Sequence, residues 1–284
     1  MAITAAMVKE LRDRTGLGMM DCKKALVEAD GNMELAIEEL RKKSVLKAAK
    51  KSGRITANGL LGLKLSEDLS RAAIVEINIE TDFAAKNEKF ISFVSKVANA
   101  VYQSEEDLTS LMESGLDQER ETLVQEIGEN ISVRRAERLS APAGGCVGAY
   151  VHGDNLKGCL VALDTTNPDL GRDIAMHVTA INPMVIRSED ISEATIKKER
   201  EIYLSQAQES GKPQDIVDKM VDGRIKKFLS EVSLVDQPFV KDPSTSLSKI
   251  IKGNEVLSYN RYEVGEGLEK KSEDFAQEVY NQIS

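Results

Sequence analysis

Cysteine and histidine are scarce in this 284-residue chain, and neither falls into a pattern that carries chemistry. Cys22, Cys146 and Cys159 are odd in number and widely spaced, which fits neither a disulfide framework nor a zinc-ligand set. They read as free, packed thiols. The two histidines, His152 and His177, have no spacing that would bind a metal or activate a nucleophile, and His177 shares a helical face with Ile174, Val178 and Ile181, as a packed histidine would. No stretch approaches the run of about 18 apolar residues that a membrane helix needs. The segment Met1 to Met7 lacks the basic n-region and continuous apolar core of a secretory signal, so residence in the cytoplasm is expected. Also missing is a G-x-x-x-x-G-K-[ST] phosphate loop: Gly211-Lys212-Pro213 lacks both the preceding glycine and the following hydroxyl. Gly144-Gly145-Cys146-Val147-Gly148 precedes a strand, whereas a dinucleotide fingerprint follows one. Direct nucleotide binding is therefore unsupported. The net charge of −9 disfavours a general DNA or RNA binder, since such proteins draw affinity from cations that neutralise phosphates. Carboxylates are abundant but lie mostly on exposed helical faces, and sequence pairs none of them as acid and base. These absences point to a protein that works by binding another protein, with no catalysis and no cofactor of its own.

The chain length favours more than one domain, and the patterning supplies an α+β set of elements. Thr4 can cap a helix with Val8 and Leu11 on one face, ended at Gly16 and Gly18. A second helix runs from Met20 to Ala29, and Asn32 caps a third that presents Leu35, Ala36 and Leu40. A bundle this small buries little and commonly serves as a docking module. From Arg41 to Arg54 every charged residue is basic. That island suits a solvated helical extension and linker, and its charge also suits contact with an acidic partner surface or RNA. Gly59 to Leu65 and Ala72 to Ile79 form a hairpin pattern, followed by a helix that Asn87 caps and a second helix over about Leu116 to Asn130. The hairpin signal recurs at Cys146 to Val151 and Gly158 to Asp164, around the turn His152-Gly153-Asp154-Asn155, and again a helix follows, from Asp169 to Ile181. Residues 189–232 read as an antiparallel helical hairpin, with Pro213 in the first turn of its second helix and a narrow stripe of Val217, Val221, Ile225, Phe228 and Val232. So sparse a stripe suggests a projection from the body, suited either to a homodimer or to another protein. Tyr259 to Val264 reads as a returning strand and Ser272 to Ile283 as a terminal amphipathic helix.

The turn Glu80-Thr81-Asp82-Phe83-Ala84-Ala85-Lys86 has a plain reading, in which Thr81 or Asp82 caps a short turn and Phe83 folds back into the core. Its context supplies another. Lys9 to Gly16, then Gly18 to Leu26, then Thr81-Asp82-Phe83, then Met220-Val221-Asp222-Gly223-Arg224 leading to Gln237-Pro238-Phe239-Val240 together resemble the bacterial elongation factor Ts family, nucleotide exchange factors of the GTPase elongation factor Tu. Gly128-Glu129-Asn130-Ile131 with Arg134-Arg135, Ile174-Ala175-Met176-His177, and Glu263 to Gly267 extend the match, which runs nearly end to end.

The resemblance implies a three-helix module like a ubiquitin-associated domain with its basic linker at 1–55 and a core of two α+β subdomains with antiparallel sheets, at 56–142 and at 143–188 with 233–266. It further implies a protruding helical hairpin at 189–232 and a C-terminal helical module at 267–284. By the same resemblance, Asp82 and Phe83, within the string Thr81 to Ala84, form a wedge that disturbs the partner's magnesium site, neither being a metal ligand here. Lys23, Ile127, His152 and Val240 match family positions that face the partner. Two departures are mild: Ala84 stands where a valine is frequent, and Lys241 where a methionine is common.

Overall fold

The computed structural model describes residues 3–209 and 212–268, so the helix expected over 272–283 lies outside the described residues. Two compact units share the chain: the described residues within 1–64, 73–138 and 262–284 make one, and 65–72 with 139–261 make the other. The architecture is α+β.

In the first unit, α1 (Ala5–Thr15), α2 (Met19–Glu28) and α3 (Met33–Lys51) pack around Leu11, Cys22, Leu26, Ala36 and Leu40. Their ends follow the local chemistry. Thr4 Oγ1 accepts from the Met7 N–H at 3.3 Å, Asn32 Oδ1 accepts from the Leu35 N–H at 3.1 Å, and Gly16 closes α1 at φ 73°. The basic segment does not begin a flexible connection. α3 continues without a break to Lys51, because Ser44 and Ala48, one turn apart, are small enough to bring it against the body, and Ala48 joins the main core of this unit.

That core lies beneath a three-stranded sheet of β1 (Asn58–Leu65), β2 (Arg71–Ile79) and β3 (Ile131–Ser140), ordered β1-β2-β3. A one-turn helix, α4 (Asp82–Ala85), leads into α5 (Glu88–Gln103), which Asn87 caps and which buries Phe90, Phe93, Val94, Val97 and Val101. Helix α5 can approach β1 closely because Gly62 stands there: a Cβ would come within 2.9 Å of the Val94 carbonyl oxygen. Next come α6 (Leu108–Leu111), a π-helical turn at Met112–Leu116, and α7 (Asp117–Ile127), which Gly128 ends at φ 91°. β3 escaped the pattern reading, since four of its ten residues are charged and it has no clean apolar alternation. Two of those charges are spent on one buried partner. Glu76, in the middle of β2, is fully buried; it accepts from Arg134 at 3.1 Å, Arg135 Nε at 2.5 Å, Asn78 Nδ2 at 3.0 Å and the Gly265 N–H at 2.8 Å. Arg135 also lies over the Tyr262 ring at 4.1 Å, so the cluster ties residues 262–266 to the sheet.

In the second unit, β4 (Cys146–Val151) and β5 (Lys157–Leu163) pair antiparallel, Cys146 opposite Leu163 and Val151 opposite Gly158. α8 (Pro168–Ile181) packs on them, with Asn167 as its cap. The contact is backbone to backbone at Gly148 and Gly171, where a Cβ on Gly148 would fall 2.2 Å from the Gly171 carbonyl. α9 (Glu193–Gln208) and α10 (Gln214–Val232) form the helical hairpin around Ala207, Val217, Val221 and Ile225, while Ile202 and Ile216 stay exposed. A short ribbon of β6 (Pro238–Phe239) and β7 (Asp242–Ser246), then α11 (Leu247–Ile251), lead into β8 (Val256–Glu263), which completes a sheet ordered β4-β5-β8. All three cysteines are free and buried, and burial pushes the Cys146 and Cys159 thiols above their ordinary values. Among the described residues, no helix is long and apolar enough to cross a membrane.

Burial works against the charge on Glu76, yet the bonds from Gly265, Asn78, Arg135 and Arg134 outweigh it and hold the carboxyl below the ordinary glutamate range. Its folded value lies below its unfolded one, so its stabilisation is complete above about pH 5 and is lost as pH falls through the depressed value. Glu76→Gln should cost about 3 kcal/mol at neutral pH. Urea titrations of both proteins should show that difference narrowing on acidification.

Candidate functional site

Phe83 is the most exposed large apolar side chain among the described residues, at 80%. The plain expectation that it folds back into the core is therefore overturned, and the surrounding bonds give the reason. Thr81 caps α4 by accepting from the Ala84 N–H at 3.2 Å. Its own hydroxyl donates to Glu129 Oε1 at 2.7 Å, and its amide donates to Glu129 Oε2 at 2.9 Å. In return the Asn130 N–H donates to Glu80 Oε1 at 2.6 Å. The Glu80 carbonyl accepts from Asn58 Nδ2 at 2.8 Å, and its carboxylate pairs with Arg54 at 3.2 Å. The turn after β2 is thus bonded to the turn after α7. With Thr81 fixed, helical geometry sends Ala85 inward, 6% exposed, and leaves Phe83 outward. A phenylalanine held in water forgoes roughly 1.5–3 kcal/mol of burial free energy.

Lys86 attends both exposed residues. Its Nζ lies 3.0 Å from Asp82 Oδ2 and 5.4 Å from the centre of the Phe83 ring. Asp82 and Lys86 are exposed, so the pair contributes little to stability and can be exchanged for other partners. Ile127 is the last residue of α7, half-buried against the same core as Ala84 and two residues from Glu129. Thr81, Asp82, Phe83, Ala84 and Ile127 therefore share one region of the first unit. Lys23 lies elsewhere in that unit, exposed on α2 among Met19, Met20 and Val27, which are 57%, 75% and 55% exposed. At spacings of three and four residues these side chains share a helical face. Cys22, Ala25 and Leu26 form the buried face of the same helix, and the outward patch was missed in the sequence.

The other two candidates are in the second unit. His152 is exposed in the turn between β4 and β5, with Nδ1 3.0 Å from Asp154 Oδ1, beside Leu156 at 40% exposure. Val240 is 36% exposed at the β6–β7 turn, and its N–H donates to Nδ1 of the buried His177 at 3.2 Å. Sequence reasoning also passed over Glu129 and Lys86 as site residues. Glu129 follows the helix-closing Gly128 and adjoins Asn130, but nothing in a single sequence pairs it with a residue 48 positions earlier. Among the described residues, no group of three or more His, Cys, Asp or Glu side chains is placed to hold a metal ion.

Removing Glu129 should loosen the turn, while trimming Phe83 should not touch the fold. Glu129→Ala is expected to lower unfolding free energy by about 1–3 kcal/mol, leaving the Thr81 donors unmatched. Phe83→Ala should stay within roughly 0.5 kcal/mol of the parent, as an exposed substitution does. Chemical denaturation of the two variants checks the contrast.

Comparison with known proteins identifies the family. The elongation factor TS family profile matches residues 80–266. An elongation factor Ts of Hahella chejuensis is 56% identical, covering 99% of this chain and 99% of its own. One of Marinobacter nauticus is 54% identical over 98% of this chain and 96% of its own, and one of Saccharophagus degradans is 50% identical over 100% and 99%. On the profile match and on full-length identity at this level, the chain belongs to the elongation factor Ts family of translation elongation factors.

Proposed function

We propose that the chain is the guanine nucleotide exchange factor of elongation factor Tu: it binds the GDP form of that GTPase, disturbs its magnesium site and promotes GDP release so that GTP can bind. The observation that carries this reading is the outward Phe83, held at 80% exposure by a turn anchored through Thr81 to Glu129. A side chain kept in water by a built support is suited to insertion into a second protein. Asp82 beside it brings a carboxylate that can compete for the groups around a cation. The protein itself performs no chemical step.

Energetics shows why one residue cannot act alone. Speeding release by roughly 10⁴ requires lowering a barrier by about 5.5 kcal/mol. Burying one phenylalanine supplies about 1.5–3 kcal/mol. Further surfaces must grip the partner, and in this reading they are the apolar patch around Lys23, Ile127, His152 with Leu156, and Val240. The N-terminal module at 1–55, the two core subdomains and the C-terminal residues 267–284 are the parts over which that grip is spread, while the exposed Ile202 and Ile216 of the hairpin at 189–232 suit a homodimer contact. The Asp82→Ala, Phe83→Ala double variant should bind the GTPase yet release its GDP at least tenfold more slowly. Stopped-flow release at an unchanged rate would remove the wedge from the mechanism.

A second reading, an RNA- or ribosome-associated adaptor acting through residues 41–54, has weaker support. Lys42 pairs with Glu38 and Glu39, Lys43 with Glu28, Lys47 with Asp21, and Arg54 with Glu80, while Lys51 donates to the Gly128 carbonyl. The pairs themselves are weak, but the carboxylates among these cations lower the local positive charge that phosphates would meet. Gel shifts at physiological salt should show RNA binding no tighter than the non-specific range of about 10⁻⁴–10⁻⁶ M. Tight, steeply salt-dependent binding would revive the adaptor.

A further inference from the structure

The β6–β7 ribbon is too short to fix its own turn: β6 has two residues, and the register shifts between Pro238 and Phe239. The turn is nevertheless fastened at nearly every residue, from α8. His177 is fully buried. Its Nδ1 accepts from the Val240 N–H at 3.2 Å, and its Nε2 lies 2.9 Å from Gln237 Oε1. A backbone N–H can only donate, so Nδ1 is the bare nitrogen, and Nε2 carries the proton and donates to Gln237. Gln237, 2% exposed, completes the chain by donating through Nε2 to the Glu231 carbonyl at 2.6 Å. Phe239 is buried with its ring 6.0 Å from the imidazole, and Lys241 pairs with Asp173, one helical turn before His177. What remains free is the Val240 side chain, which this scaffold turns outward.

We infer that His177, held in one tautomer by Gln237, is a positioning residue that sets the backbone of Val240 and so presents its side chain to the partner. The functional half of this inference rests on the reading of Val240 as a partner contact proposed above. The chemistry makes a sharp demand on position 177. An acceptor is needed where Nδ1 sits, and asparagine places its Oδ1 near that point, whereas phenylalanine keeps the ring volume and loses both bonds. Glutamine at 177 would keep the donor toward Gln237 but not the acceptor toward Val240. A residue that served the core by volume alone would rank phenylalanine first; a clamp ranks asparagine first.

The test uses the full-length ¹⁵N-labelled protein with two readouts: amide hydrogen exchange at Val240, and GDP release from elongation factor Tu at sub-saturating factor. His177→Phe should speed Val240 exchange by about five- to tenfold, the loss of one hydrogen bond, and slow GDP release by roughly tenfold, as misplacement of a contact does. His177→Asn should keep both within about twofold of the parent. Should His177→Phe fail to fold, Gln237→Met, which frees the imidazole to turn, should deprotect Val240 in the same direction. Unchanged Val240 exchange in His177→Phe and Gln237→Met would overturn the clamp. Equal loss of GDP release in His177→Phe and His177→Asn, with Val240 still protected in the latter, would reduce His177 to a packing residue. Val240→Ala separates the two layers: release at the parental rate in that variant removes Val240 from the interface while the exchange data on the clamp stand.

Discussion

The carboxylate of Glu129 receives both the amide and the hydroxyl of Thr81, and the turn that carries Phe83 is arranged around that pair of bonds. A four-residue helix has no stability of its own, because one turn fixes several torsions for a single hydrogen bond. α4 exists because Thr81 caps it and because Thr81 is itself anchored by Glu129, at the approach to the neighbouring strand β3. The reciprocal bond from Asn130 to Glu80, the Asn58 bond to the Glu80 carbonyl and the Arg54 ion pair hold the same point from three further directions. An apolar side chain left in water would ordinarily rotate or drag its turn toward the nearest cover. Here the backbone beneath Phe83 has little freedom to follow it.

A related logic, of a buried polar group holding an exposed turn or a connecting segment, appears at two other places. Glu76 gathers Arg134, Arg135, Asn78 and the Gly265 amide, and so fastens the residues that follow β8 onto the first sheet. His177 gathers Gln237 and the Val240 amide in the second unit. Each site is costly if half-satisfied and specific if complete, since unmatched buried polar atoms carry penalties of roughly 1–3 kcal/mol. Apolar cores alone would tolerate several placements of these segments. Directional bonds select one.

Much of this was legible in the sequence, and the gaps have a common cause. The caps at Thr4, Asn32 and Asn87, both hairpins, the stripe on α10 and the α+β class follow from local pattern, because the residues that decide them are neighbours along the chain. β3 was missed because Arg134 and Arg135 turn to a glutamate 58 and 59 positions away, so that charge stands where apolar alternation was sought. Phe83 was readable in two ways, and the choice lay with Glu129, which periodicity does not connect to it. His177 read as a packed histidine, and it is packed; that it holds the Val240 amide depended on a bond spanning 63 positions. The Thr81 to Ala84 string could be located by resemblance, but its support could be found only in three dimensions.

An exchange factor, as proposed here, must also avoid holding its partner too well. If binding of the factor weakens GDP binding by some ratio, GDP weakens binding of the factor by the same ratio, so the factor sets no direction and the nucleotide pool does. This reciprocity limits how much affinity any one contact should carry. The site has the corresponding form. Phe83 is pre-positioned, so the proposed insertion would lose little ordering entropy. The Asp82–Lys86 pair is exposed and readily exchanged, so nothing strong must be broken on entry or re-formed on departure. The remaining candidate contacts come from α2, the end of α7 and two turns, each a short stretch of chain that contributes a single residue. Single-residue contacts of moderate strength can be lost in succession, and a complex held in that way can be formed and dismantled within each cycle of exchange.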